Sequence, residues 1–165
     1  YCTMSNVVTI GISDMQIVRS DDSLVTYALG SCVGICLYDP IMKIGGLGHI
    51  MLPTFPQNNP KENNIHRFAD TCIPEMIQKM EKMGCNRRRI VAKIAGGAKM
   101  FEVAGDSSFG NIGQRNIVAV KESLSKFQIR LCAEDTGLNY GRTVYFYAED
   151  GKMVVKSFSN GVKTY

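Results

Sequence analysis

The sequence of 165 residues contains no tryptophan, only two histidines and only five prolines. Its longest apolar run, residues 33–38, is far shorter than the ~20 residues that a membrane-spanning helix needs. The sequence does not begin with a basic segment followed by an apolar one, which is the pattern of a signal peptide, and it contains no low-complexity tract. We therefore expect an ordered, cytoplasmic protein without direct membrane insertion.

The sequence also lacks the common patterns that hold metals and nucleotides. Its six cysteines form no C-x-x-C pair and follow no regular spacing, so reduced thiols are expected rather than disulfides. Cys32 and Cys36 make only a weak zinc pattern with the two histidines, His49 and His66. The glycine-rich segments match neither common phosphate-binding motif. We predict no metal and no cofactor.

Basic residues give no sign of a nucleic-acid partner. The net charge is only +4, and the one basic cluster, Arg87-Arg88-Arg89, has no aromatic residues between its arginines on which bases would stack. Such a short cluster is more typical of a solvated strand entry than of a docking patch. We expect no nucleic acid among the partners.

The hydrophobic pattern predicts a single domain over residues 1–165. At 45% hydrophobic residues, a chain of this length buries a core of its own. Apolar residues recur every three or four positions at about 67–84 and 114–127, which predicts two amphipathic helices. Strands are predicted from β-branched runs at residues 7–12, 16–19, 24–28, 33–38, 44–51, 89–95, 129–134, 142–148 and 152–158.

The order of these elements is strands, helix, strand, helix, strands. This order predicts an α/β or α+β sandwich, in which a mixed, largely antiparallel sheet is packed by two main helices. A polar loop at residues 54–64 and a glycine-rich loop at residues 104–113 interrupt the pattern. The loop at residues 54–64 is long and polar enough to form a lid or rim, and its role in substrate choice is left undecided by the sequence.

A cysteine at the start of an apolar strand, followed seventeen residues later by a histidine, is the most informative feature. Cys32 follows Gly30-Ser31, a tight-turn dipeptide that presents a side chain and leaves backbone N–H groups available for an oxyanion. His49 lies in the next predicted strand, so antiparallel pairing would bring it alongside Cys32. Because a thiol needs a base at neutral pH, the pair favours a Cys–His hydrolase.

A third group usually orients the imidazole of such a pair. Thr26, on the strand before Cys32, is one candidate through its hydroxyl or its carbonyl. Asp39 is another, although it precedes Pro40 and resembles a turn residue. Spacing alone leaves structural roles open as well, because a cysteine on an apolar strand often serves as a small hydrophobic residue.

Five ordered motifs, spread over about residues 8–155, carry a resemblance to a known family. They are Leu29-Gly30-Ser31-Cys32-Val33 with Cys36-Leu37-Tyr38-Asp39-Pro40, Gly48-His49-Ile50-Met51-Leu52-Pro53, Lys93-Ile94-Ala95-Gly96-Gly97-Ala98 with Met100-Phe101, Asn111-Ile112-Gly113 with Arg115-Asn116, and Ala133-Glu134-Asp135-Thr136-Gly137. On these motifs the sequence resembles the CheD family of chemoreceptor glutamine deamidases.

The resemblance implies a cysteine amidohydrolase with a Thr–Cys–His triad, in a sandwich similar to the catalytic domain of deamidating bacterial toxins. The family nucleophile falls on Cys32, its base on His49 and its orienting threonine on Thr26. Gly30 and Ser31 are expected to support the turn and the oxyanion.

In the implied reaction, a glutamine of a chemoreceptor cytoplasmic helix becomes glutamate through a Cys thioester, which tunes chemotaxis. Glutamyl methyl ester hydrolysis by the same chemistry and a CheC-type phosphatase as partner are implied too. Two other classes stay open: a non-catalytic regulatory binding module for a CheC-type phosphatase, and a redox or metal switch that uses Cys32 and Cys36.

One position departs from the family pattern. After Asp135-Thr136-Gly137 many relatives have a second glycine, where this sequence has Leu138. If the turn needs a positive φ there, Leu138 is strained. We expect a local change in this loop rather than a loss of catalysis, because no triad residue is affected.

Overall fold

The computed structural model describes residues 6–99 and 111–165, so the predicted glycine-rich loop lies largely outside the described residues. The elements in chain order are β1 (Val7–Ile10), β2 (Met15–Arg19), β3 (Ser23–Leu29), β4 (Val33–Asp39), β5 (Ile44–Ile50), a short 3₁₀ helix (Ile65–Arg67), α1 (Ala69–Lys82), β6 (Val91–Gly96), α2 (Ile112–Lys126), β7 (Arg130–Thr136), β8 (Arg142–Tyr147), β9 (Met153–Ser157) and β10 (Gly161–Thr164).

In the described part of the chain, ten strands form two five-stranded sheets, which pack face to face. The strand order is β1-β3-β8-β9-β10 in the first sheet and β2-β5-β4-β6-β7 in the second. Pairing is parallel between β1 and β3 and between β6 and β7, and antiparallel elsewhere. The predicted α+β class, with largely antiparallel pairing and two main helices, is confirmed. The division of the strands into two separate sheets was not predicted.

Both helices cover the outer face of the second sheet, and β5 shows how the layers fit. On the helix side of β5, a Cβ at Gly48 would lie 2.9 Å from the Cys72 sulfur of α1. On the opposite side, a Cβ at Gly45 would lie 2.5 Å from the ring of Phe146 in β8. Glycine on both faces therefore lets a helix and a sheet approach β5 closely, and successive β5 residues face alternate layers.

The helix boundaries and one strand differ from the prediction. α1 begins at Ala69, because the residues just before it form the 3₁₀ helix. The last strand, β10, was missed, since its four residues are all exposed and carry no buried apolar pattern. No helix among the described residues is long and apolar enough to cross a bilayer.

Two non-glycine residues near the carboxyl ends of β3 and β7 have a left-handed backbone. Ala28 has a φ of 57° and lies in an irregularity of β3 between Thr26 and Leu29. Leu138 has a φ of 60° directly after Gly137 at 77°. The turn therefore does require a positive φ at the second position, and the expected strain at Leu138 is present.

Candidate active site

Thr26 and His49 meet in the space between the two sheets. Thr26 lies on β3 of the first sheet, His49 lies on β5 of the second, and both are fully buried. Thr26 Oγ1 is 2.7 Å from His49 Nδ1, and the same hydroxyl donates to the carbonyl of Ile10 at 3.0 Å. Because the hydroxyl proton is committed to Ile10, the oxygen accepts from Nδ1–H, and Nε2 is left as the basic nitrogen.

Cys32 directly precedes β4, the strand that pairs with β5. The register of β4 and β5 places Gly34 opposite His49. Cys32 precedes Gly34 by two residues, so it faces the same side of the sheet and lies diagonally across from His49. Its side chain is half-buried and packs against the apolar cluster between the sheets. The structure therefore joins Thr26 and His49 by a hydrogen bond and places Cys32 near the same face of the sheet, and the role of Cys32 as third member of a triad stays a prediction.

No hydrogen bond joins the Cys32 thiol to the His49 imidazole among the described residues. Within residues 6–99 and 111–165, His49 Nε2 has no hydrogen-bond partner. Catalytic hydrogen bonds often tighten only when the substrate is bound. An approach of the thiol to Nε2 therefore stays a prediction for the substrate-bound state.

Burial sets the charge state of both groups. It lowers the pKa of His49 to about 4 and raises the pKa of the Cys32 thiol above its usual value. At neutral pH the resting pair is therefore a neutral thiol beside a neutral imidazole rather than an ion pair. These charge states are compatible with a general-base role of His49 toward Cys32, which stays a prediction.

The turn before β4 is held by the loop that follows β6. Gly97 N–H donates to the Cys32 carbonyl, and Ala98 N–H donates to the Gly30 carbonyl, both at 2.8 Å. The Ser31 N–H donates to no described residue, and the Cys32 N–H points toward its own sulfur. Gly30 thus helps to hold the turn through its carbonyl, and an oxyanion role for the N–H groups of Ser31 and Cys32 stays a prediction.

Two buried polar side chains near this turn were missed by the sequence reasoning. Asn116 of α2 donates to the carbonyls of Ser31 and Met51, both at 2.9 Å. Arg142 of β8 pairs with Asp135 of β7 at 2.9 Å and so joins the two sheets. The signal for Asn116 was visible in the sequence, since it is a polar residue on the apolar stripe of a helix.

Asp39, the alternative orienting residue, was a wrong candidate. It lies at the opposite end of β4 from Cys32 and accepts hydrogen bonds from Arg89, at 2.9 Å for the shortest, and from the Asn86 N–H at 3.0 Å. Its carboxylate therefore fastens the β4–β5 turn. Arg87 is likewise paired, with Glu81 at 3.1 Å, but both side chains of this pair are exposed, so only the pair of Arg89 with the buried Asp39 holds the fold.

Cys32 and Cys36 do not form a redox pair in this fold. Four residues along a strand separate their Cα atoms by about 13 Å, whereas a disulfide needs less than about 7 Å. Cys36 is buried among apolar side chains between the sheets. No cluster of three or more His, Cys, Asp or Glu side chains in the described part of the chain has the geometry of a metal site.

The buried neutral imidazole predicts a loss of stability in acid. The folded-state pKa of His49 is about 4, against an ordinary 6.5 in the unfolded chain. Between these pH values the unfolded state binds a proton that the folded state does not, so the free energy of unfolding falls as the pH falls through this window. The loss is on the order of 3 kcal/mol.

Urea unfolding at a series of pH values measures this effect. His49→Gln is expected to flatten the dependence between pH 6.5 and 4, whereas His66→Gln, which changes the other histidine, should leave it in place. An equal slope in the unaltered protein and in His49→Gln would show that His49 is not the group responsible.

Comparisons with known proteins agree with the motifs. A family model described as CheD chemotactic sensory transduction matches residues 51–157. A Caldanaerobacter subterraneus subsp. tengcongensis protein named "Probable chemoreceptor glutamine deamidase CheD" is 48% identical over 159 residues, which covers 96% of this chain and 98% of the relative. A Syntrophomonas wolfei protein of the same name is 47% identical over 158 residues, covering 96% and 98%.

Among solved structures, the Bacillus licheniformis hypothetical protein YfiH is similar with a TM-score of 0.44 and 13% identity, over 76% of this chain and 51% of YfiH. Both sequence relatives align over nearly their whole length and over nearly all of this chain, and the family model matches well over half of this chain. The family recognised from the motifs is thereby confirmed: this chain belongs to the CheD family.

Proposed function

We propose that this protein is a cysteine-dependent protein-glutamine deamidase acting on chemoreceptors. The observation that carries the proposal is the Thr26–His49 hydrogen bond of 2.7 Å, which leaves Nε2 as a base on the face that Cys32 shares. The named activity of the relatives, chemoreceptor glutamine deamidase, supports the substrate class.

In the first half of the proposed reaction, Cys32 Sγ attacks the carboxamide carbon of a glutamine side chain, and His49 Nε2 takes the thiol proton. The N–H groups of Ser31 and Cys32 stabilise the oxyanion. The C–N bond then breaks, and His49 gives its proton to the nitrogen, which leaves as ammonia. The product is a glutamyl thioester on Cys32.

In the second half, His49 removes a proton from water, and the resulting hydroxide attacks the thioester carbon. The C–S bond breaks, the sulfur recovers its proton from His49, and glutamate is released. The same steps with methanol as the leaving group would hydrolyse a glutamyl methyl ester. No cofactor is consumed in either case, so the chain's own side chains suffice.

Because the site is buried, we expect a substrate whose reacting side chain is narrow and unbranched. Thr26 and His49 are fully buried, and only Cys32 is partly accessible. A glutamine on a helical surface extends its carboxamide on two methylenes, which lets it reach a recessed sulfur without unfolding the backbone around it. This fits the cytoplasmic helices of a chemoreceptor as substrate.

Peptide mass spectrometry of a chemoreceptor cytoplasmic fragment tests the proposal. Incubation with the protein should add about one dalton at specific glutamines and release an equal amount of ammonia, since each amide becomes an acid. His49→Gln should abolish the change, and His66→Gln should keep it. A protein that binds a CheC-type phosphatase yet leaves every receptor glutamine unchanged would be a regulatory binding module, and the deamidase proposal would fail.

A further inference from the structure

The backbone ladder between β4 and β5 ends just where the proposed chemistry begins. Its last pair is Val33 with Ile50. Past this pair β5 turns away, because the N–H groups of Met51 and Leu52 both donate to the carbonyl of Arg67, at 2.8 and 3.1 Å. Among the described residues, no backbone hydrogen bond therefore connects Gly30 or Ser31 to residues 51–53.

The side chain of Asn116 spans this gap. Its Nδ2 donates to the carbonyl of Ser31, the residue before the nucleophile, and to the carbonyl of Met51, two residues after the base. Both distances are 2.9 Å, so one nitrogen fixes both carbonyl oxygens. Since both neighbours are acceptors, only the nitrogen of the amide is able to face them.

The burial of the Asn116 side chain lowers the stability of the fold. It is fully buried on the inner stripe of α2, and its Oδ1 has no hydrogen-bond partner within the described residues. A buried amide oxygen without a partner lowers stability, and asparagine is a poor helix former. A leucine here would suit the stripe better, so stability alone does not account for the amide.

Glycines bring α2 close enough for this contact. A Cβ at Gly97 would lie 2.6 Å from the Ile117 Cδ1 of α2, and a Cβ at Gly113 would lie 2.6 Å from the Gly97 carbonyl oxygen. Gly97 is also the residue whose N–H holds the Cys32 carbonyl. The loop after β6 and the first turns of α2 therefore hold the nucleophile's turn together.

We propose that Asn116 is a positioning residue, which replaces the missing rung between the strands of Cys32 and His49 and sets the distance between thiol and imidazole. The expected effect on kcat rests on the proposed function. The two hydrogen bonds from Asn116 do not depend on it. Asn116 touches no substrate in this account and acts through the turn.

Asn116→Asp is the sharpest variant, because it keeps the size of the side chain and replaces the two donated hydrogen bonds by repulsion between carboxylate and carbonyls. We expect kcat for glutamine deamidation to fall about 100-fold, as is typical when reacting groups are misplaced by about 1 Å. KM should stay within about twofold, since a buried residue does not bind the substrate. Asn116→Leu should behave in the same way.

Ser123→Ala is the matched control. Ser123 is another buried polar residue on the inner face of α2, and it lies two turns further along the helix. This variant should keep both kinetic constants. If Asn116→Asp and Asn116→Leu keep the unaltered kcat, or lose stability while kcat per folded molecule is unchanged, Asn116 is a packing residue and the inference is wrong.

The pH dependence of Cys32 alkylation by iodoacetamide separates this inference from the proposed function. In the unaltered protein the rate should depend on His49, so its profile should differ from that of His49→Gln. Asn116→Leu, which adds no charge near the thiol, should shift the profile onto that of His49→Gln, even if no receptor glutamine is ever deamidated. A profile identical to that of the unaltered protein would overturn the inference.

One measurement uses only the unaltered protein, so it does not depend on whether a variant folds. Scalar couplings across hydrogen bonds, measured by NMR on the unaltered protein, should connect the Asn116 side-chain nitrogen to the carbonyl carbons of Ser31 and Met51. Slow exchange of both amide protons with solvent should accompany them. The absence of both couplings would contradict the proposed bridge.

Discussion

Replacing Cys32 by alanine should lower glutamine deamidation at least ~10⁴-fold, because the nucleophile of a covalent mechanism has no substitute among its neighbours. The fold should survive the change. Cys32 is only half-buried and packs at the margin of the apolar cluster between the sheets, so the lost sulfur costs about 1 kcal/mol or less. Ammonia release and the melting temperature measure the two effects separately.

Two other thiols serve as controls for this variant. Cys132→Ala removes an exposed cysteine, and it should keep full activity. Cys36→Ala removes a fully buried sulfur four residues beyond Cys32, and it should lower stability more than activity. If Cys32→Ala keeps its activity, or if it unfolds while Cys36→Ala does not, Cys32 is a core residue rather than a nucleophile.

Replacing Thr26 by valine should lower kcat by about 10³-fold, although valine matches threonine in shape. The hydroxyl accepts the Nδ1–H of His49 and donates to the carbonyl of Ile10. Without it, the tautomer with a basic Nε2 is no longer favoured, and a buried donor and a buried acceptor lose their partner. Stability should fall by about 1–3 kcal/mol for the same reason.

Thr26→Ser is the conservative partner of this variant. Serine keeps the hydroxyl and loses only the methyl group, so it should restore most of kcat. A difference between valine and serine in kcat is therefore the mark of the hydrogen bond. Equal kcat values in the two variants would show that Thr26 contributes packing and does not orient the imidazole.

The strands and helices were predictable because their signals are local. A continuous apolar run such as β4, whose seven residues are all buried, and a stripe of period three to four such as that of α1 record burial directly in the order of residues. The division into two sheets has no such signal, because the sequence of a strand does not specify which other strand it pairs with. β10 was missed for a related reason, since an exposed edge strand lacks the alternation that identifies it.

The candidate site was predictable in part. The spacing was informative, because β4 and β5 are consecutive antiparallel strands that place Gly34 opposite His49 and Cys32 two residues before Gly34. The choice between Thr26 and Asp39 depended on contacts between different sheets, which spacing alone does not determine. Asp39 resembled a turn residue before Pro40, and the family resemblance favoured Thr26. In the structure, Thr26 and not Asp39 contacts His49, because β3 crosses His49 in the opposing sheet.

Asn116 marks the limit of the sequence reasoning. A polar residue on an apolar helix stripe is visible in the sequence, but its partners are the backbone carbonyls of Ser31 and Met51. Backbone carbonyls occur at every residue, so nothing in the sequence names which of them a buried amide will reach. Only the packing of α2 against the turn reveals the contact.

The central claim is that Cys32 forms a glutamyl thioester, and hydroxylamine tests it most directly. Hydroxylamine attacks thioesters readily and should divert the intermediate into a glutamyl hydroxamate on the chemoreceptor fragment, at the same residues that otherwise become glutamate. Peptide mass spectrometry should show the hydroxamate with the unaltered protein and not with Cys32→Ala. Glutamate formation without any hydroxamate, or with equal yield in Cys32→Ala, would contradict the account.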